Sequence, residues 1–247
     1  MAKRIVVGNW KMNPETVEEA KKIFSGLKRI SKDFKTKVVI CTPFVFLSSL
    51  KTSSSKISLG AQNVFAEDLD NRIKAFTGEV SAEMLRSLGV EYVIVGHSER
   101  RSMGETDELI NKKIKILLKN GITPVVCVGE KARDQDGHFF EELRTQIKNT
   151  FLKLKKGDLE KIVIAYEPIW AIGKSDTENM KGEDLHQMTI FIRKILNEMY
   201  GKQEAFKPLI IYGGSVSSNN VSDIVLNGQV QGILPGRSSL NLSEMKI

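Results

Sequence analysis

The sequence has few cysteines and no long hydrophobic run, and these two shortages exclude several classes of protein. Only two cysteines occur among 247 residues, Cys41 and Cys127, and they lie far apart in the chain. Each lies at or next to the end of an apolar run, so we expect two small buried residues rather than a disulfide or a Cys-x-x-Cys metal site. The longest apolar runs span at most five residues. A membrane-spanning helix needs about 20, so no membrane segment is expected.

Signals for export, metals and nucleotides are also missing. The apolar segment after Met1 ends at Gly8, which is too short for a signal peptide and predicts a cytoplasmic protein. The three histidines lack metal-ligand spacing, and no G-x-G-x-x-G motif occurs. Gly173-Lys174-Ser175 matches the last three positions of a P-loop motif, but Pro168 stands where that motif requires its first glycine. We therefore expect neither a metal nor a nucleotide cofactor.

The basic charge is spread over the chain. Lysine and arginine number 37 against 30 acidic residues, which gives a formal net charge of +7. No basic stripe interleaved with aromatic residues occurs, so a nucleic-acid partner is not expected. Scattered lysines usually form a solvated face, and a mild positive field would help to steer a phosphorylated substrate.

Eight apolar, β-type segments alternate with longer amphipathic segments along the whole chain. The 247 residues give about 31 residues per segment, close to the ~30-residue βαβ unit. Alternation of this kind predicts one α/β domain over residues 1–247, a (β/α)₈ barrel of eight parallel strands ringed by helices. The predicted strands are Ile5–Val7, Val38–Cys41, Ile57–Ala61, Tyr92–Val95, Thr123–Val128, Ile162–Ala165, Leu209–Tyr212 and Gln231–Leu234.

Helix signals lie between these segments. Asn13-Pro14-Glu15 has the residue types of a helix start, with a capping Asn and Pro at the first helical position. After the eighth predicted strand only Ser238–Ile247 remain. The eighth helix is therefore expected to be short or missing.

Barrel enzymes carry their chemistry on the loops that follow the strands, so polar residues at those positions are the candidates. Asn9 and Lys11 follow the first strand, His97 and Glu99 follow the fourth, and Glu167 follows the sixth. Each alone has an ordinary explanation, such as a surface lysine, a loop histidine, a turn-forming asparagine or a salt-bridged acid.

The glycine-containing loops after the last two strands add a candidate anion site. Gly213-Gly214-Ser215 and Gly236-Arg237-Ser238 offer free backbone N–H groups where barrels often bind phosphate. A carboxylate base, a histidine, a lysine and a phosphate site at one mouth suit proton abstraction beside the carbonyl of a phosphorylated small molecule.

Six runs give the chain a specific resemblance to the triosephosphate isomerase family over nearly its whole length. They occur in the family's order and at compatible spacing. The runs are Gly8–Asn13, Ala61–Asn63, Phe76–Glu79, Val95–Arg101, Ala165–Gly173 and Tyr212–Val216.

The resemblance implies an aldose–ketose isomerase, an intramolecular oxidoreductase of glycolysis and gluconeogenesis that uses no cofactor. It would interconvert dihydroxyacetone phosphate and D-glyceraldehyde 3-phosphate through an enediol(ate). Glu167 would carry the proton and His97 would polarise the carbonyl as a neutral imidazole. Lys11 would stabilise the oxyanion and the phosphate, with Asn9 bonding nearby and Glu99 supporting the network.

The family's mobile and assembly features carry over in the same way. Tyr212 and Ser215 would latch a closing lid, and the Phe76–Glu79 loop with Thr77 would enter a partner subunit of a homodimer. The lid residues would be Pro168, Ile169, Trp170, Ala171, Ile172 and Gly173. The substrate and its phosphate would be bound by Asn9, Lys11, Gly173, Ser215, Gly236 and Arg237.

The chain departs from the family pattern at the phosphate end. Lys174-Ser175 replaces the end of the usual Gly-Thr-Gly in the lid, and Arg237 stands where a second glycine is usual. The segment Phe65–Lys74 is slightly longer than usual, and the C-terminus is shorter. We hypothesise that Lys174 and Arg237 lie near the phosphate and raise affinity at low salt.

Two alternatives stay open from the sequence. One is another phosphosugar barrel, such as a Schiff-base aldolase, which would want a buried lysine on a central strand where this chain carries Glu167. The other is a non-catalytic barrel that binds phosphorylated ligands or nucleic acid.

Overall fold

Eight parallel strands close into a barrel in chain order, as predicted. In the computed structural model the described residues are 4–50, 56–67, 75–173 and 180–246. Each strand pairs with its sequence neighbours, and the eighth pairs with the first to complete the ring.

The strands confirm the sequence prediction, three of them to the residue. The other five differ at their ends by one to two residues, because a ladder of backbone hydrogen bonds extends past the apolar run or stops short of it. The strands are β1 Ile5–Asn9, β2 Lys37–Thr42, β3 Ile57–Ala61, β4 Val90–Val95, β5 Thr123–Val128, β6 Val163–Tyr166, β7 Leu209–Tyr212 and β8 Gly232–Ile233.

Helices surround the barrel and fill most of the crossover connections. Short 3₁₀ turns occur at 31–33, 159–161, 169–171, 237–240 and 244–246. None of the helices within the described ranges is long and apolar enough to cross a bilayer. The α-helices are α1 Val17–Ile30, α2 Phe44–Leu47, α3 Ala82–Ser87, α4 Ser98–Ser102, α5 Asp107–Lys119, α6 His138–Thr150, α7 Gly182–Tyr200, α8 Lys202–Ala205 and α9 Val221–Leu226.

The predicted start of the first helix at Asn13-Pro14 is wrong. Helix α1 begins at Val17, and its N-cap is Thr16, whose Oγ1 accepts from the Glu19 N–H at 3.2 Å. Asn13 instead donates its side-chain amide to the Trp10 carbonyl at 3.3 Å. The Thr16 hydroxyl satisfies a free N–H of the first turn, so Asn13 is left to shape the loop after β1.

The core has two layers. Side chains from alternate positions of the strands fill the barrel interior, and the opposite faces pack under the helices. Cys41 and Cys127 belong to the interior and are both unpaired. Burial raises the pKa of each thiol well above its usual range. Both cysteines are therefore buried packing residues, as the sequence predicted.

A short tail takes the place of the eighth helix, as expected. Two 3₁₀ turns follow β8, and between them Leu242 packs on α1. A methyl group at Gly26 of α1 would lie 2.4 Å from Leu242 Cδ1, so the tail approaches the helix closely only because residue 26 has no side chain.

A buried ion pair ties α5 to the loop after α4. Glu105 Oε1 accepts from Lys113 Nζ at 2.5 Å and from Arg100 Nε at 2.7 Å. Lys113 Nζ also donates to Asn63 Oδ1 at 2.7 Å, which adds the loop after β3. Burial alone would raise the pKa of Glu105, but hydrogen bonds from Lys113 and Arg100 outweigh it and hold that pKa below its usual value.

This pair predicts a specific dependence of stability on pH. Since the folded Glu105 has the lower pKa, its contribution is fully present above the unfolded value of about 4.3 and is lost as pH falls through the folded pKa. The variant Glu105→Gln, which cannot titrate, should lose stability less steeply on acidification than the native chain does.

Urea unfolding measured from neutral pH down to about pH 3 would check this, with the exposed Glu160→Gln as the control. Parallel pH profiles for the native chain and Glu105→Gln would contradict it.

Candidate active site

The predicted site residues converge at the carboxyl ends of the strands. A cavity of about 560 Å³ opens there, bordered by the loops after β1, β4, β6, β7 and β8. Glu99 lies beside it and lines an adjoining cavity with Lys11 and His97. The predicted residues that line the main cavity are Asn9, Lys11, His97, Glu167, Gly173, Ser215, Gly236 and Arg237.

Glu167 follows β6 directly and is almost completely buried. Its Oε1 lies 3.0 Å from His97 Nε2, and its Oε2 accepts from the Ser98 N–H at 3.1 Å. The backbone is fixed as well, because the Glu167 N–H donates to the Val128 carbonyl at 2.8 Å. A methyl group at Gly129 would lie 2.0 Å from the Glu167 carbonyl oxygen, so only glycine fits beside Glu167.

His97 joins β4 to α4, and its protonation pattern follows from its neighbours. The imidazole Nδ1 accepts from the Glu99 N–H at 3.2 Å, in the first turn of α4. A nitrogen that accepts carries no proton, so the proton of the neutral ring is on Nε2, which faces Glu167. Helix α4 begins directly after His97, and its Glu99 N–H sets this tautomer.

Lys11 is held in an unusual backbone conformation. Its φ of 54° lies in the left-handed region, which non-glycine residues rarely adopt. Asn9 Oδ1 accepts from the Lys11 N–H at 3.0 Å, and Gln62 Nε2 donates to the Lys11 carbonyl at 2.9 Å. The side chain then reaches Glu99, with Nζ 2.5 Å from Oε1. The Lys11 ammonium group therefore forms an ion pair with the Glu99 carboxylate beside the cavity.

Three loops, those that follow β6, β7 and β8, meet at one end of the cavity. Ser215 Oγ donates to the Ala171 carbonyl at 3.1 Å, which joins the loop after β7 to the proposed lid. Ser238 Oγ donates to the Val216 carbonyl at 3.2 Å, which joins the loops after β7 and β8. Gly173 borders this end with a φ of 74°. The loops predicted to bind phosphate are thus linked to one another.

Arg237 lines the same end of the cavity and its side chain is exposed. Within the part of the chain that the structure describes, it forms no ion pair. Lys174, the other cation of the sequence hypothesis, lies outside the described residues.

Tyr212 ends β7 and is fully buried. A methyl group at Gly214 would lie 2.2 Å from the tyrosine hydroxyl, so the glycine allows the loop to cross over the ring. Burial raises the pKa of Tyr212 well above its usual range. The role of Tyr212 as a latch for the lid stays a prediction.

Sequence reasoning missed Glu130 and Arg133, which contact Trp170 of the proposed lid. Glu130 is fully buried, and its carboxylate accepts from the Tyr166 hydroxyl at 2.8 Å and from Trp170 Nε1 at 2.9 Å. Arg133 Nε lies 3.2 Å from Glu130 Oε1. Burial, followed by the Glu130 carboxylate, raises the pKa of Tyr166.

Glu130 could have been predicted from the sequence, because it comes two residues after β5 ends, and the other candidates were chosen for similar positions after a strand. Arg133 had none, since only the fold brings it to Trp170.

Thr77 is exposed in the turn between Phe76 and Gly78, and Gly78 has a φ of 90°. Large apolar side chains are exposed on the segments that follow β1, β2 and β3, which include α2 and α3. They are Met12, Phe44, Val45, Phe76 and Met84.

Among the described residues, no group of three or more His, Cys, Asp or Glu side chains is arranged to hold a metal ion. The polar groups at the mouth are instead a carboxylate, an imidazole, an ammonium and a guanidinium, which suits the transfer of protons near a bound anion.

Comparison with known proteins agrees with this geometry. The family model described as triosephosphate isomerase matches residues 4–246. The triosephosphate isomerase of Clostridium botulinum strain Eklund 17B is 43% identical over 99% of this chain and 97% of its own. That of Thermoanaerobacter sp. strain X514 is 41% identical over 99% and 97%, and that of Moorella thermoacetica is 41% identical over 98% and 95%. The chain therefore belongs to the triosephosphate isomerase family.

Proposed function

We propose that the cavity interconverts dihydroxyacetone phosphate and D-glyceraldehyde 3-phosphate, with Glu167 as the base and His97 as the electrophile. The observation that carries this proposal is the 3.0 Å contact between the Glu167 carboxylate and His97 Nε2 beside the cavity. Family membership makes the chain an aldose–ketose isomerase, and it gives no support to the non-catalytic alternative.

The contacts suggest how the reaction proceeds. His97 Nε2–H and the Ser98 N–H hold the Glu167 carboxylate. When the carbonyl oxygen of the substrate accepts the hydrogen bond from His97 Nε2–H, Glu167 loses its contact with His97. The Glu167 carboxylate is then free to turn toward the carbon that loses its proton. Glu167 then returns that proton to the neighbouring carbon. His97 Nε2 gives its proton to the oxygen that becomes a hydroxyl and takes one from the oxygen that becomes the new carbonyl.

Lys11 and Asn9 would act on the substrate oxygens. The ammonium of Lys11 is a fixed cation at the cavity wall, and such a preorganised charge stabilises a developing oxyanion more than the starting carbonyl. Glu99 holds that ammonium in place through its 2.5 Å contact. The left-handed backbone of Lys11 is consistent with this role, since strained residues cluster at sites whose surroundings enforce them.

The phosphate would bind where the loops after β6, β7 and β8 meet, at Gly173, Ser215, Gly236 and Arg237. Support comes from the hydrogen bonds that link the three loops there, which fix backbone N–H groups around one region. Charge balance supports a role for the Arg237 side chain. The Lys11 ammonium is already paired with Glu99, so the exposed Arg237 guanidinium adds positive charge for a phosphate dianion.

The remaining parts of the proposal rest on the family alone. We place the reaction in glycolysis and gluconeogenesis and the protein in the cytoplasm, with no nucleic-acid or membrane partner. A salt-sensitive gel shift with random RNA would overturn the exclusion of nucleic acid.

A homodimer is proposed on the exposed apolar side chains after the first three strands. Such large side chains in one region of a surface mark an interaction site. The family's dimer loop corresponds to Phe76–Glu79 here, and Thr77 of one subunit would approach Lys11 and His97 of the other. The apolar surface would then be buried between two copies.

Removal of the proposed base should abolish most of the turnover. Glu167→Ala should lower the rate at least about 10²- to 10⁴-fold, the usual effect of losing a positioned base. Coupled assays of glyceraldehyde 3-phosphate isomerisation check this, with Glu160→Ala, an exposed acid outside the cavity lining, as the matched control. Turnover by Glu167→Ala at the native rate would refute the assignment.

Removal of the Arg237 charge should weaken binding without slowing chemistry. Arg237→Gln should raise KM up to about tenfold at low ionic strength, the effect of losing one charged hydrogen bond, and leave kcat nearly unchanged. High salt should shrink the difference. Lys115→Gln, which removes an exposed cation from α5, is the control. If Arg237→Gln and Arg237→Gly keep the native KM and its salt dependence, the side chain has no role.

A charge on the proposed dimer surface should separate the subunits. Val45 is 73% exposed, and Val45→Asp should give monomers in sedimentation equilibrium together with a lower turnover. Ile190→Asp is the matched control, because Ile190 is 56% exposed on α7. If the Val45→Asp variant still sediments as a dimer, the interface lies elsewhere.

A further inference from the structure

The guanidinium of Arg133 lies between the lid and the body of the barrel. Its central carbon is 5.1 Å from the centroid of the Trp170 ring and 5.1 Å from that of Phe139. Phe139 belongs to the first turn of α6, whereas Trp170 lies within the lid. One planar cation therefore joins a lid side chain to a helix outside the lid.

The same arginine partners the carboxylate to which Trp170 bonds. Arg133 Nε approaches Glu130 Oε1 at 3.2 Å, and Trp170 Nε1 donates to the same oxygen at 2.9 Å. Glu130 is fully buried, and a buried carboxylate needs a cation to compensate its lost hydration. Arg133 thus neutralises the Glu130 carboxylate and covers the ring of Trp170, which donates to that carboxylate.

These contacts lead directly to the base. The Ile169 N–H donates to the Glu130 carbonyl at 3.0 Å, and Gly129 packs against the Glu167 carbonyl. The loop after β5 therefore supports the backbone from Glu167 to Ile169, and Arg133 ties that loop to Trp170. Arg133 itself lies outside the cavity lining.

We propose that Arg133 is a positioning residue that holds Trp170 against Glu130 in this arrangement of the lid and thereby supports the segment that carries Glu167. The inference rests on the proposed roles of Glu167 and the lid. Displacement of a reacting group by about 1 Å costs up to about 10²-fold in rate, so loss of this support acts on chemistry rather than on phosphate binding.

Kinetics and tryptophan emission test the proposal together. Arg133→Gln should lower kcat about tenfold, within the range for such a displacement, and change the dissociation constant of inorganic phosphate less than about twofold. Its emission should move to longer wavelength because the Trp170 ring gains contact with water. The chain has two tryptophans, and Trp10 is only 1% exposed, so the shift should vanish in the Trp170→Phe background.

Arg144→Gln is a closely matched control. Arg144 also covers an aromatic ring, Phe191 at 5.4 Å, and pairs with a carboxylate, Glu198 at 2.5 Å, but it lies on α6 away from the lid. It should keep the native kcat and emission. If Arg133→Gln matches Arg144→Gln in kcat or in emission, the proposal is overturned.

Arg133→Lys covers the case in which Arg133→Gln does not fold. It keeps a cation beside Glu130 but lacks the planar group that covers the ring, so kcat should recover only in part and the emission should stay shifted. Native kcat and emission in Arg133→Lys would overturn the proposal. The emission is read without substrate, so it separates this failure from a failure of the proposed base.

Discussion

The barrel closes where β8 meets β1, and this seam leaves no space for a side chain. Residue 232 pairs with Ile5, and a methyl group there would lie 1.8 Å from the Ile5 carbonyl oxygen. Gly232 therefore lets a strand of only two residues complete the ring. Closure brings the loops of β1 and β8 together, and the cavity lined by Lys11 and Gly236 depends on that meeting.

The site combines groups that would be costly to bury alone. Glu167 has donors from His97 and Ser98, and Lys11 is paired with Glu99. Glu167 and Lys11 are each held by a partner on a different loop, so movement of one loop away from the other would break these contacts. At Glu130 the cation comes from Arg133 of the same loop, and the donors Tyr166 and Trp170 come from β6 and the segment after it. Contacts between loops thus hold the proposed site residues at the strand ends.

The strands were predictable because a parallel barrel buries them on both faces, and the apolar runs of Ile57–Ala61 or Thr123–Val128 show this directly. The grouping of Asn9, Lys11, His97 and Glu167 followed from the rule that strand ends meet at one mouth.

Two kinds of feature were beyond such reasoning. The start of α1 depends on which of two capping residues satisfies the first turn, and Thr16 lies closer to it than Asn13 does. Arg133 is placed on Trp170 by the path of two loops, and no local pattern encodes a contact between residues 37 positions apart in the chain. Contacts made by side chains between loops therefore needed the structure.

The closed barrel also shields the two cysteine thiols in its interior from solvent. Cys41 and Cys127 face that interior, and burial keeps both thiols in their protonated, unreactive form. An oxidant or alkylating reagent can reach either sulfur only after strands separate. The rate at which these two thiols react in the folded protein therefore reports on how often the strands of the barrel open.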